Sequence, residues 1–448
     1  MPESTGTVLS LRIERMSYGA DAIAHTDEGK TVFVSGGAVP DDLVEAEVTR
    51  SKDSFVNARF VRVIEPSDKR VAAPCPYADI CGGCPWAHLS HEEQLAEKRD
   101  NVVNSLVRIG RLEPSRAESL VAQTERPSDD WGYRNKVELA LSTTRGRTSV
   151  GMHAQDGTTV IKVDRCPLLD TRYQKVVKAV SGALSYLSNS HDLGIERVGI
   201  RASRRTKDLE IALWTSPGSF PRAQVAKVLQ DATKATSIVR VMTKGPQKAR
   251  KVTGVERLSG KGCWEERIAG GQMLLSAPSF FQVNTVGAQR LVELVLDGLA
   301  PDEDDEAMDL YCGAGTFTLP LARACNYVSA VESYGPAVRD LRRNLEKAQL
   351  DNVDAIGGDA GREFPNTDAD IIVVDPPRAG LAEDVVRQLS EQPARAIAYV
   401  SCDPATLARD IARFEDIGVF SPTRITPVDL FPQTFHVETV TLLSRKDT

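Results

Sequence analysis

The chain has 448 residues, 41% of them hydrophobic and 26% charged, with a formal net charge of −7. That length suggests two to four domains with a sizeable core, and no apolar run is long enough to span a membrane. The opening MPESTGTVLSLRIER lacks a basic region followed by an apolar stretch, so no secretory signal is expected and the expected compartment is the cytoplasm.

Eight cysteines in a cytoplasmic chain point to metal binding or catalysis rather than disulfides. Residues 7–65 alternate apolar and polar side chains between Gly, Asp and Pro turns, which predicts a small antiparallel β-barrel. Residues 73–90, APCPYADICGGCPWAHLS, place Cys75, Cys81 and Cys84 at C-x5-C-x2-C spacing. Cys166, followed by proline as Cys75 is, is the best fourth ligand, with Cys263 the runner-up. Four thiolates suit a tetrahedral zinc ion or an iron–sulfur cluster equally, and the spacing is not the C-x3-C-x2-C of radical enzymes. Cys312 and Cys325 read as packing residues.

Residues 91–112 have helical apolar spacing. Residues 131–270 mix strands (NKVELALS, EIALWTS, TSIVRVM) with a helix at 173–187, a central α+β region. Within it, residues 201–261 carry 14 Lys and Arg against four Asp and Glu, including the clusters RASRRTK (201–207) and KGPQKARK (244–251). Such a run is either a solvated face or a phosphate-contacting surface.

From about residue 275 strands and helices alternate. AMDLY, YVSAVE, VDAIGGD, ADIIVVD and ARAIAYVS are strands with helices between them, and TPVDLFP and HVETVTLLSR close the chain. The pattern predicts a doubly wound, Rossmann-like α/β domain with an antiparallel end. Ligands of such sheets lie at the C-terminal ends of the strands. Gly313 and Gly315 follow the first strand, and Glu332 ends the second, where it is either a ribose partner or an exposed carboxylate. The third glycine of a dinucleotide fingerprint is replaced by Thr318, which disfavours NAD and favours a ligand with one ribose and no pyrophosphate, such as S-adenosylmethionine. In DPPRAG (375–380) two prolines stiffen the turn that holds Asp375.

Uracil C5 is a weak nucleophile, so its methylation needs a thiolate to add at C6 and a base to remove the C5 proton. Cys402 follows the fifth strand and Glu438 lies in the terminal strands beside it, so both can reach one cleft. Alone, Cys402 would read as a buried filler. Amine methylation through DPPR would not need Cys402, and a metal-stabilised RNA-binding protein without catalysis would need neither residue.

SFFQVN (279–284), DLYCGAGTFTLPLA (309–322), DPPRAG (375–380), YVSCDPATLARD (399–410) and FPQTFHVETV (431–440) occur in this order. Together they resemble the uracil-5 RNA methyltransferase family, and residues 7–65 resemble its front TRAM barrel. The resemblance implies Cys402 as nucleophile, Glu438 as proton acceptor, and Gln282, Tyr311, Glu332, Asp359 and Asp375 as S-adenosylmethionine residues. Many relatives have Asn where Thr316 stands, Phe where Tyr311 stands, and S-C-N-P where this chain has Asp403, whose charge is expected to raise the thiol pKa. The resemblance also implies a [4Fe–4S] cluster on Cys75, Cys81, Cys84 and Cys166, in a structural or RNA-positioning role.

The expected architecture is a TRAM/OB-like barrel (5–66), a central domain with the cysteine cluster and basic segment (67–90 and 125–272), and a class I methyltransferase domain (91–124 and 273–448). The target base must be presented unpaired or flipped out. Phe280 and Phe281 are either base-stacking or core residues. The expected substrate is a structured RNA, 23S ribosomal RNA first and the tRNA T-loop second, acted on by a monomer.

Overall fold

The computed structural model describes residues 4–144, 147–188, 192–246 and 250–446. Residues 247–249 of the basic cluster 244–251 lie outside the described residues.

The first six strands are β1 (Val8–Arg12), β2 (Arg15–Met16), β3 (Ala22–His25), β4 (Thr31–Ser35), β5 (Leu43–Ser51) and β6 (Phe55–Glu65), in the sheet order β1-β5-β6-β4-β3-β2. Alternation along β5 buries Val44, Ala46 and Val48 on one face, the period-two pattern of a half-buried strand. The sheet departs from a wholly antiparallel barrel at one pairing. β4 and β6 run parallel, because β5 reverses the chain and β6 reverses it again before returning to β4. Trp86 and Phe435, from outside the sheet, close the barrel's core.

Two helices follow, α1 (His91–Arg108) and α2 (Pro114–Leu120). The central sheet contains β7 (Lys136–Thr144), β8 (Arg147–His153), β9 (Val160–Lys162), β10 (Ile195–Ala202), β11 (Leu209–Thr215), β12 (Ser237–Lys244) and β13 (Lys251–Gly260), in the order β13-β12-β11-β10-β7-β8-β9. Helices α3 (Gln174–Ser188) and α4 (Arg222–Thr233) pack on it through Val177, Val180, Leu184, Val225 and Leu229.

The basic stretch 201–261 is not one open phosphate-binding face. Arg201 and Arg240 lie on the interior strands β10 and β12 and are buried. Arg201 donates to the carbonyls of Ser276 and Ser279, and Arg240 to Thr215 Oγ1 at 2.8 Å and to Ser216 O at 3.0 Å. Arg204 pairs with Asp170, Lys261 with Asp208, Arg222 with Glu256, and Lys227 with Asp231. Arg201 and Arg240 are thus engaged inside the protein on carbonyl and hydroxyl oxygens, and the other four pair with carboxylates at or near the surface.

A ribbon of β14 (Trp264–Ile268) and β15 (Gly271–Leu275) leads into α5 (Thr285–Leu299) and the last sheet. That sheet contains β16 (Glu306–Leu310), β17 (Tyr327–Glu332), β18 (Val353–Gly357), β19 (Ile371–Val374), β20 (Ala396–Ser401), β21 (Phe420–Val428) and β22 (Glu438–Arg445). Its order is β18-β17-β16-β19-β20-β22-β21, parallel except that β22 pairs antiparallel with β20 and β21. Strands such as β19 are buried along their whole length, as expected where helices cover both faces. α1, α2, α8 (Glu383–Glu391) and α9 (Pro404–Ile417) cover one face, around Val102, Leu106, Val385, Leu407 and Ile411. α5 and α6 (Thr318–Ala324) cover the other, around Leu291, Val295 and Leu321, and α7 (Gly335–Ala348) packs against α6 and the β17–β18 edge. Just past α2 the chain extends this sheet: Ala122 N donates to Ile425 O and Glu125 N to Pro427 O.

Candidate active site

The residues expected at the site gather at the C-terminal ends of the parallel strands. Tyr311 follows β16, Glu332 ends β17, Asp359 lies just past β18, Asp375 follows β19 and Cys402 follows β20. The turn after β16 is tight. Gly313 has φ +58°, and a Cβ there would meet nothing within 4 Å, so open space faces its backbone. Gly315 has φ +99°, and a Cβ there would collide with Leu319 and Leu341. Glu332 braces this turn by accepting from Gly313 N at 3.0 Å and Tyr334 N at 2.6 Å. Tyr311 is half-buried with φ +66°, and burial, with Asp359 next, pushes its phenol up to about 12.

Asp309, inside β16, was not singled out by sequence. It is fully buried, accepts from Thr318 Oγ1 at 2.6 Å, and leaves Oδ1 without a partner among the described residues. Burial pushes its carboxyl up to about 7, with Glu332 adding to the rise. Burial likewise pushes Asp375 up to about 7, with Asp309 and Glu332 adding. These mutually repelling carboxylates make an environment suited to a cationic ligand. Thr318, read only as a missing glycine, is a hydrogen-bond donor to Asp309. A carboxylate interrupting the apolar strand AMDLY was the available signal.

Gln282 precedes α5 and is buried, with Oε1 unpartnered among the described residues. Its segment is held by Asp340 of α7, which accepts from Ser276 N at 2.8 Å, Ser276 Oγ at 2.7 Å and Ser279 Oγ at 2.5 Å. Asn135 Nδ2 donates to the Gln282 carbonyl at 2.9 Å. The two neighbouring phenylalanines separate: Phe281 is 4% exposed and packs edge-on against Trp264, whereas Phe280 is 68% exposed. Phe281 is therefore core, and only Phe280 remains available to a base.

Cys402 and Glu438 are brought together by the antiparallel end of the sheet. Ser401 pairs with Thr439 across β20 and β22, which sets the two following and preceding side chains on adjoining strand ends. Glu438 is buried, with Oε2 unpartnered among the described residues, and burial, with Asp375 adding, holds its carboxyl well above the ordinary value of 4.5. The half-buried Cys402 thiol is pushed up to about 12, chiefly by burial, then by Glu438 and Asp375. Arg378 of the DPPR turn opposes that rise, and Asp403 adds less than the other carboxylates. The expected effect of Asp403 on the thiol is thus a minor one. Its larger role is to cap α9 by accepting from Ala405 N and Thr406 N, both at 3.0 Å.

Two buried networks hold the loops around this pair. Asp410 of α9 accepts from Leu381 N at 2.8 Å and Tyr399 Oη at 2.8 Å, anchoring the end of the DPPRAG turn. Lys98 of α1 donates to Asp429 Oδ1 at 2.5 Å and Phe431 O at 3.2 Å, while Asp429 Oδ2 meets His91 Nε2 at 2.7 Å. Gln94 exchanges hydrogen bonds with Gln433. The segment leading to Glu438 is therefore strapped to α1. Its sequence signal was polar residues at 94, 97, 98 and 101, the positions that share a buried helix face. His436, between the rings of Phe431 and Phe435, is pushed down to about 4 by burial and the nearby Arg378, Lys98 and Arg134.

Away from this cleft, Cys75, Cys81, Cys84 and Cys166 line one cavity of about 370 Å³ together with Arg134. Cys263 does not line it. Burial, followed by Cys166, pushes the Cys84 thiol up, so the thiols feel one another. Among the described residues no group of three or more His, Cys, Asp or Glu is placed to hold a metal ion. Cys312 and Cys325 are buried in the packing of the last sheet, as expected.

The last sheet and its cleft define the nucleotide-binding fold of an S-adenosylmethionine-dependent methyltransferase. The family model for tRNA (uracil-5-)-methyltransferases matches residues 267–446, and that of the TRAM domain matches residues 2–61. An RNA methyltransferase of Thermosynechococcus vestitus is 31% identical over 98% of both chains. One from Gloeobacter violaceus is 32% identical over 98% of this chain and 97% of its own. The chain belongs to the uracil-5 RNA methyltransferase family. The fold is shared with the crystal structure of Pyrococcus abyssi tRNA (uracil-54, C5)-methyltransferase in complex with S-adenosyl-L-homocysteine, with TM-score 0.74 and 24% identity over 97% of this chain and 99% of that one. No helix among the described residues is long and apolar enough to cross a membrane.

Proposed function

We propose that this protein methylates C5 of a uracil in 23S ribosomal RNA through covalent addition of Cys402. The observation that carries the reading is the meeting, at one strand end, of Cys402 and the buried carboxyl of Glu438, whose Oε2 has no partner among the described residues. Acting as a thiolate, Cys402 forms a bond to C6, and the displaced π electrons make C5 an enolate carbon. S-adenosylmethionine, when bound, supplies the methyl group that C5 takes up. Glu438 then removes the C5 proton, the C5–C6 double bond re-forms, and the bond from C6 to sulfur breaks. Arg378 opposes the upward shift of the thiol and so favours the thiolate.

Gln282, Tyr311, Glu332, Asp359 and Asp375 hold the methyl donor in this reading. Support comes from the convergence of Tyr311, Glu332, Asp359 and Asp375 on the strand ends, the open space at Gly313, the clustered carboxylates, which fit a sulfonium and an ammonium group, and the buried Gln282 Oε1 that has no partner among the described residues. Residues 5–66 form the TRAM barrel, 67–90 with 125–272 the central domain, and 91–124 with 273–448 the methyltransferase domain. The packing of α1 on α9 and the pairing of 122–125 with β21 support that division. The protein works as a cytoplasmic monomer.

Cys75, Cys81, Cys84 and Cys166 hold a [4Fe–4S] cluster in this reading, since four thiols around one cavity form a soft donor set. Thiolate addition needs no electron transfer, so the role is structural. Anaerobic purification should give a coloured protein containing iron and sulfide; a colourless, zinc-loaded protein would overturn the assignment.

Ribosomal RNA is favoured because the chain combines a TRAM barrel with a cavity lined by four cysteines, the pairing that the family resemblance associates with 23S ribosomal RNA. The tRNA T-loop is the second reading, favoured by the shared fold with a tRNA methyltransferase over nearly the whole chain. The test is to incubate the protein with 5-fluorouridine-substituted total RNA and S-adenosylmethionine. Fluorine at C5 blocks the final proton removal, so a denaturation-resistant protein–RNA band should appear, and Cys402→Ala should abolish it. Sequencing the trapped RNA separates ribosomal from transfer RNA. A protein that binds S-adenosylmethionine but gives no band would overturn the covalent route in favour of amine methylation or RNA binding alone.

A further inference from the structure

The turn between β2 and β3, residues 17–21, leaves the barrel and meets the loop that carries Cys402. Three contacts tie it down. Met16 N donates to Glu97 Oε1 on α1 at 3.0 Å. Trp86 Nε1 donates to Gly19 O at 3.1 Å. Tyr18 Oη donates to the backbone carbonyl of Cys402 at 3.3 Å, across 384 positions of sequence. The Tyr18 ring also meets Phe435 edge-on, with centroids 5.8 Å apart, and packs on the core of the last sheet. Phe435 lies three residues before Glu438. Burial, with Asp403 and Cys402 next, holds the Tyr18 phenol well above its ordinary value, so the hydroxyl stays a donor.

We propose that Tyr18 is a positioning residue of the active site: its hydroxyl holds the Cys402 carbonyl and its ring braces Phe435, so that thiol and carboxyl are aimed at one base. The proposal rests on the uracil-C5 reading above and deepens it. It gives the barrel a second task, because a domain expected only to hold RNA also supports the loop of the nucleophile. Cys402 sits between the end of β20 and the cap of α9, and its own carbonyl is the group that the Tyr18 hydroxyl holds. A loop restrained at both flanks but free at its apex would let the thiol swing. A displacement of about 1 Å at a reacting atom is costly to catalysis.

The test uses the full chain with Tyr18→Phe, which keeps the ring and removes the hydroxyl, and Tyr18→Ala, which removes both. Amide hydrogen exchange at residues 402–406 reads the loop without any substrate. One lost hydrogen bond corresponds to about three- to tenfold faster exchange there in Tyr18→Phe. The rate of adduct formation with 5-fluorouridine RNA should fall by about the same factor, with the Kd for RNA and for S-adenosylmethionine unchanged. Tyr18→Ala should lose more. Unchanged exchange at 402–406 would overturn the proposal whatever the activity. Faster exchange with an unchanged adduct rate would also overturn it, as would a rate loss that follows weakened RNA binding. If the wild type forms no adduct while Tyr18→Phe still loosens the loop, the uracil-C5 reading fails and the contact stands as a loop restraint.

Discussion

Glu438→Gln separates the two halves of the proposed chemistry. Gln keeps the size of the side chain but cannot accept the C5 proton. Addition of Cys402 and methyl transfer should proceed, and turnover should then stall. A positioned base contributes about 10²- to 10⁴-fold, so the loss in kcat corresponds to about 3–5 kcal/mol of barrier. The stalled species should be a covalent protein–RNA complex formed with ordinary, unfluorinated RNA and already carrying the methyl group. Denaturing gels with radiolabelled S-adenosylmethionine would show label migrating with the protein. The same substitution has a stability signature of opposite sign. The folded-state pKa of Glu438 lies above its ordinary value of 4.5 because of burial. That group therefore favours the fold fully below pH 4.5 and loses this contribution as pH rises toward the folded-state value. Glu438→Gln should match or exceed the wild type in thermal midpoint above that pH, with a gap that widens as pH increases. Each unit of elevation corresponds to about 1.4 kcal/mol. Free methylated product released at the wild-type rate would refute the base assignment. A variant less stable than wild type at alkaline pH would refute the account of a carboxyl whose pKa burial raises.

Lys98→Met should destabilise the fold by about 3–5 kcal/mol in denaturant titration, because Asp429 stays buried with His91 as its remaining ionisable partner. A loss under 1 kcal/mol would show that the pair does not secure the segment before Glu438. Phe281→Ala should cost about 3–5 kcal/mol of stability, as a core deletion does, while Phe280→Ala should leave the thermal midpoint unchanged and weaken RNA binding by about 1–3 kcal/mol. Equal effects of the two on stability would contradict their separation. Cys166→Ser should abolish metal loading of the anaerobically purified protein and Cys263→Ser should leave it intact, read by metal analysis; the reverse would exchange the fourth ligand.

Most of the last sheet was legible from the chain because its strands are short, mainly apolar runs closed by Gly, Pro and acidic residues, although β21 begins at Phe420, ahead of the expected TPVDLFP. Tertiary packing then only had to place them side by side. That the motif residues after the parallel strands share one edge was legible too, since parallel strands of a doubly wound sheet end on the same side. The parallel pairing of β4 and β6 was not legible, because alternation specifies which face is buried and not which strand is the neighbour. Net positive charge over 201–261 looked like a surface because a count cannot see that Arg201 and Arg240 sit on interior strands. Phe280 and Phe281 were equivalent on paper, and only the direction of one residue toward Trp264 parted them. What local sequence determined about this protein was most of its elements and which residue types stand at its strand ends. Only the tertiary structure could set Tyr18 against Cys402 or Lys98 against Asp429. Such contacts join positions hundreds of residues apart and follow from the docking of whole elements, which no short-range pattern encodes.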